Sequence, residues 1–161
     1  MWAILLAACG PAPDPEPEPC VPATEADILE RRGEYYVCLD ERLGGCGDDG
    51  YPLGYGAFYA ERYLLEVRPV VSEAGQAFLD AVSVCLQQDM AAFATDASTC
   101  DEVWDHGFSS HPDCYVASGF CDVDLESQLA IADAVEPEDT ELPEQQEQVL
   151  EVALRCLEAR P

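Results

Sequence analysis

The amino-acid sequence predicts an all-α fold, a disulfide-stapled multi-helix domain. Three observations carry this expectation. From Cys20 onward, apolar residues recur three and four apart, the spacing of one helical face. No run of alternating β-branched residues is long enough to build a sheet. Nine cysteines in 161 residues, none in a C-x-x-C pair, point to disulfides in an oxidising compartment rather than to a zinc ribbon.

Length and charge narrow the possible roles. The chain has room for one domain of ordinary size. Its 33 acidic residues face 7 basic ones, for a formal charge of −26. All the basic residues are Arg. Such a field repels phosphate backbones and excludes nucleic acid as a partner. No basic amphipathic helix is present to grip anionic lipid. The field favours cations or a basic protein, and it keeps the chain soluble. The absence of Asn removes every N-glycosylation acceptor.

The elements follow in chain order. Trp2 to Ala8 form a short apolar run of signal h-region size, far below the roughly 20 residues of a membrane span. The segment Leu6-Ala7-Ala8-Cys9 resembles the lipobox of bacterial lipoproteins, although no Lys or Arg precedes it. That resemblance implies cleavage before Cys9 and a lipid on its sulfur. Residues 10–19, GPAPDPEPEP, then form a stiff, self-repelling tether. At about 3.1 Å per residue it spans roughly 30 Å. The expected division is a lipoprotein-type signal over 1–8, lipidated Cys and tether over 9–19, and a helical domain over 20–161.

Thr24 and Asp27 have capping-box spacing, with Asp in the acid position. Ala26, Leu29, Gly33 and Tyr36 follow at helical spacing, and Gly33 weakens the middle. Residues 45–56, GCGDDGYPLGYG, read as a loop by their Gly, Asp and Pro content. A second helix spans Ala57 to Val67, stopped by Pro69. Ser72 caps a third, with Phe78, Val82, Cys85 and Leu86 on one face. Asp89 is expected to cap a fourth, with Met90, Phe93, Ala97, Cys100 and Trp104 as its apolar stripe and Gly107 as its stop. His111-Pro112 is expected to open a short fifth helix. Leu125–Val135 and Pro143–Ala159 give two more.

Cys85, Cys100 and Cys156 lie in these apolar stripes, where a thiol reads as a staple between helices. With Cys9 lipidated, eight cysteines remain, an even number that can pair completely. Eight allow 105 connectivities, so the sequence alone does not choose among them. His106 and His111 are five residues apart, out of phase with one helical face, and are not read as zinc ligands.

Residues 75–121 carry a more specific pattern. Gly75-Gln76-Ala77-Phe78 opens the segment. Fourteen residues separate Cys85 from Cys100, and 13 separate Cys100 from Cys114. Cys114-Tyr115 is followed by Cys121 seven positions after Cys114. Upstream lie Cys38-Leu39-Asp40 and Cys46 before an acidic, Gly-containing loop. Downstream lies Leu154-Arg155-Cys156. Over roughly residues 20–158 this pattern resembles the stanniocalcin family. The resemblance implies pairing of Cys20 with Cys38, Cys46 with Cys100, Cys85 with Cys114, and Cys121 with Cys156. A matched pair of family cysteines near the first loop has no counterpart here. Neither has the C-terminal cysteine that links family members covalently, so no disulfide-linked dimer is expected.

The family is secreted and hormone-like, tied to calcium and phosphate balance, and some members inhibit a metalloproteinase. The resemblance therefore implies a non-enzymatic protein that acts by binding an extracytoplasmic protein partner. The membrane is reached only through the lipid on Cys9. No cofactor is expected, with calcium as the alternative. Candidate oxygens for it cluster at Asp48 and Asp49 and at Asp122, Asp124 and Glu126, without EF-hand spacing. No G-x-S-x-G, H-E-x-x-H, P-loop or Cys-His motif suggests an enzyme.

Overall fold

A computed structural model describes residues 19–159. The expected signal, Cys9 and all but the last residue of the expected tether lie outside that range. The described chain is all-α, with no strand among its residues. Seven α-helices occur in order: α1 (Ile28–Arg31), α2 (Glu34–Arg42), α3 (Phe58–Arg62), α4 (Glu73–Phe93), α5 (Cys100–Ala117), α6 (Leu125–Asp133) and α7 (Pro143–Glu158). No described helix is long and apolar enough to cross a membrane.

The first expected helix is divided. Thr24 does hydrogen-bond to the Asp27 carboxylate, at 2.8 Å from its hydroxyl, but residues 25–27 form a turn. The break is at Arg32, whose φ of 39° leaves the helix, and Gly33 follows it. A Cβ there would sit 2.9 Å from the Cα of Ala57, so the chain crosses at contact distance. Ile28 is buried while Leu29 faces solvent. The fully buried Gln87 of α4 secures this corner. Its Oε1 accepts from Ala23 N at 2.9 Å, and its Nε2 donates to Arg32 O at 2.6 Å.

The expected loop over 45–56 ends at Gly50. Tyr51–Ala57 and Tyr63–Val67 are wide π-helical turns flanking α3, and Arg68–Val70 closes the rod as a 3₁₀ turn around Pro69. Gly and Pro suggested a loop, but tertiary packing of the tyrosines overrides that local preference. Tyr51, Tyr55, Tyr59 and Tyr63 are four apart and share one face of the rod. Their rings run in sequence with centroids 5.7, 4.6 and 5.8 Å apart.

The expected fourth and fifth helices also shift. Asp89 lies inside α4, where its carboxylate meets His106 Nε2 at 2.6 Å instead of capping a helix. The break comes at residues 94–98, where Thr95 N donates to Ser98 Oγ at 3.0 Å. Thr99 and Glu102 then form a full capping box at the start of α5. Ala97 and Cys100 therefore do not continue the stripe of Met90 and Phe93. Nor does Gly107 stop the helix or Pro112 start one. α5 runs through both, and the hydroxyls of Ser109 and Ser110 donate to the carbonyls of His106 and Gly107.

Ser72 caps α4 as expected, accepting from Gly75 N at 3.2 Å. α6 and α7 lie where the sequence placed them, with Pro143 in the first turn of α7. α5 is central, packed between α4 and α7. Four disulfides tie the elements: Cys20–Cys38, Cys46–Cys100, Cys85–Cys114 and Cys121–Cys156. These are the pairs named above. They belong to an oxidising, extracytoplasmic setting.

Candidate binding site

The site begins with the tyrosine rod. All four hydroxyls find partners, and each reaches a different part of the chain. Tyr51 is paired with His111 Nε2 of α5 at 3.0 Å. Tyr55 donates to Gln145 Oε1 of α7. Tyr59 donates to Asp139 and accepts from Glu136 N at 3.0 Å. Tyr63 donates to Ile131 O of α6 at 3.3 Å. A buried hydroxyl without a partner is costly, so the rod dictates what must face it.

That demand inverts α7. Its inward positions are Gln145, Gln148 and Val152, and two of the three are amides serving Tyr55. Its leucines are consequently turned outward. Leu150 is 60% exposed and Leu154 51%, with Val149 and Leu157 beside them. An amphipathic helix ordinarily buries such a stripe. α6 does the same on a smaller scale. Ser127 and Ile131 face inward, while Leu125 and Leu129 are exposed.

Between α5, α6 and α7 opens a cleft of about 360 Å³. Tyr63, Tyr115, Phe120, Ile131 and Val152 are among its walls, and its polar side chains include His111, Gln128, Gln145 and Gln148. No Asp, Glu, Lys or Arg lines it. His111 is buried, and desolvation pushes its imidazole down to about 4, against an opposing contact with Gln148. It is neutral at neutral pH. Burial likewise pushes the Tyr115 phenol up to about 12.

A pH dependence follows. An unfolded His takes up its proton near pH 6.5, and the folded one only near 4, so the folded state binds fewer protons in between. Stability contributed by the neutral His111 is complete above pH 6.5 and is lost as pH falls toward 4. A loss of about 2 kcal/mol is expected by pH 5. Urea midpoints at pH 7 and pH 5 measure it, and His111→Gln should remove that portion of the drop.

Compared with protein-family models, curated proteins and solved structures, the chain matches none.

The residues singled out in the sequence fall in separate places. Asp48 and Asp49 lie in the exposed turn before the tyrosine rod. Asp124 caps α6, and both of its oxygens are engaged. Ser127 N donates to Oδ1 at 3.0 Å, while the hydroxyls of Ser127 and Ser72 donate to Oδ2. The Ser72 hydroxyl, followed by Ser127, lowers its carboxyl to about 2. Among the described residues, no three or more His, Cys, Asp or Glu side chains converge as a metal-binding set. Asp122 and Glu126 are therefore not gathered with Asp48 and Asp49. His106 stacks on Phe93 with ring centroids 3.9 Å apart. The cleft and the outward leucines were not read from the sequence. The signal was present in the four-residue spacing of Tyr51, Tyr55, Tyr59 and Tyr63, and in glutamines at the α7 positions in phase with Val152.

Proposed function

We propose that this chain is a non-enzymatic, extracytoplasmic binding protein that acts by holding another protein. One observation carries the reading: α7 turns Leu150 and Leu154 to solvent while burying Gln145 and Gln148. An exposed apolar stripe on a folded helix marks an interaction surface. Glu147, Glu151 and Glu158 flank the stripe on the same helix, and the whole chain carries −26. The partner is therefore a protein with an apolar docking surface rimmed by Arg and Lys. The resemblance to stanniocalcins and the lipobox-like Leu6–Cys9 support the same reading, with Cys9 as lipid anchor and residues 10–19 as spacer.

The test uses the oxidised chain. Sedimentation should give a monomer. Retention of a partner from the native cell envelope should weaken as salt rises. Leu150→Glu combined with Leu154→Glu should weaken it at least tenfold, with the thermal midpoint unchanged. A stable wild-type dimer that the same substitutions dissociate would assign the stripe to a second copy and overturn the reading. Retention untouched by both substitutions would do so as well.

A further inference from the structure

The cleft between α5, α6 and α7 contains a buried polar atom that makes no hydrogen bond of good geometry, although the His111 imidazole lies near enough to feel the Gln148 amide. Gln148 is 7% exposed, and its Oε1 has no hydrogen-bond partner among the described residues. Arg32 Nε shares this condition but does not line the cleft. The amide's orientation follows from that of Gln145. Tyr55 donates to Gln145 Oε1, so the group beside that oxygen must also be a donor. Gln148 Nε2 takes that place and reaches the Tyr55 hydroxyl at 3.3 Å. The carbonyl end is what remains, and buried carbonyls are rarely left unpaired in folded proteins.

The surroundings restrict what could pair with it. The walls are aromatic and aliphatic, and about 360 Å³ is within the range of small-ligand sites. A carboxylate would meet no cation there, because the lining has no Lys or Arg and His111 is neutral. The charge of −26 opposes any anion at longer range. An ammonium would be desolvated without a carboxylate to compensate it. A ketone or ether would bring a second acceptor to a site that already has a spare one.

We infer that this cleft binds a small uncharged amphiphile, an apolar body with one hydroxyl or amide N–H, and that the Gln148 amide, whose Oε1 is sealed from solvent in the free chain, turns on binding to accept from that donor. The site adjoins the exposed face of α7, sharing Val149 and Leu157 with it, but Leu150 and Leu154 do not line it. Its opening is marked by Ala153, an exposed residue that does line it.

Equilibrium dialysis of the oxidised full chain against four eight-carbon probes tests the inference. 1-Octanol should bind saturably, one per chain. 2-Octanone should bind about tenfold more weakly, the ratio one hydrogen bond supplies. Octanoate and octylammonium should not bind measurably. Gln148→Leu should abolish the alcohol's advantage over the ketone. Ala153→Trp, at an exposed position, should block octanol while leaving the circular dichroism spectrum intact. Should Gln148→Leu not fold, the wild-type comparison and Ala153→Trp still decide the matter. Leu150→Glu with Leu154→Glu should leave octanol binding unchanged, which separates this site from the protein-docking stripe. Three results would each overturn the inference: no saturable octanol binding, a ketone as tight as the alcohol, or octanol binding undisturbed by Ala153→Trp.

Discussion

Full reduction of the four disulfides is expected to unfold the domain at neutral pH and 25 °C, with loss of most of its helical circular dichroism. The buried apolar residues do not form one continuous core. They divide into a tyrosine-rich cluster around Tyr51 and Met90, a second around Phe78 and Ile131, and a small third around Ile28 and Leu64. Two of the bridges join cysteines that lie outside these clusters. Cys46–Cys100 ties the turn before the rod to the start of α5, and Cys121–Cys156 ties the turn after α5 to α7. The bridged cysteines are 18 to 54 residues apart. Loop closure of that size contributes about 3–4 kcal/mol per bridge in the chain-entropy account. Even half of the combined effect would approach the 5–15 kcal/mol that holds a typical domain. Cys114 is buried, so the Cys85–Cys114 bridge should be the last to react. Ellipticity followed against titrated reductant, with mass spectrometry of alkylated thiols, measures both expectations. Helical signal that survives complete alkylation would show that the three clusters suffice.

The helical character of the chain was legible because periodicity reports which face is apolar, and most helices here obey it. Ser72 and Pro143 mark real helix starts, each through a local rule. The start of α5 was equally legible and was missed. Thr99-Cys100-Asp101-Glu102 has the capping-box pattern, but the apolar stripe from Met90 to Trp104 seemed continuous across residues 94–98. Three-to-four spacing cannot register a break when small residues such as Ala94 and Ala97 fill it. The tyrosine rod failed for a different reason. Gly50, Pro52, Gly54 and Gly56 argue locally for a loop, and only the burial of Tyr51 and Tyr55 repays a helix there. The binding site inherits that failure. The glutamines of α7 look like solvent-facing residues until the hydroxyl of Tyr55 requires partners, and then the leucines become the exposed ones.

Gly107 concentrates the same conflict in one residue, and it supports the second large prediction. Helix propensity alone says that Gly107→Ala, in the middle of α5, should stabilise by about 1 kcal/mol. The geometry says the opposite. A Cβ at this position would lie 2.2 Å from Cε2 and 2.3 Å from Cζ of Tyr51. These are ring atoms, and the ring is only 2% exposed. Tyr36, Tyr55 and Phe108 pack around it with centroids 6.1, 5.7 and 5.7 Å away, and its hydroxyl is held by His111 at 3.0 Å. These contacts restrict how far the ring can yield, and the remaining clash pushes α5 off the rod. A net destabilisation of about 3 kcal/mol is expected, at the upper end of overpacking costs. Urea unfolding of Gly107→Ala measures it, and equal or greater stability than wild type would refute the close approach. Tyr51→Leu supplies the control. With the phenol ring gone, adding Gly107→Ala should cost nothing further, a failure of additivity confined to two groups in contact. If the two costs simply add, the glycine serves some need other than making room for Tyr51. The same displacement should reach the cleft, because His111 bonds to Tyr51 and also lines the site. Gly107→Ala is therefore expected to weaken octanol binding as well, even under conditions where most of the protein remains folded.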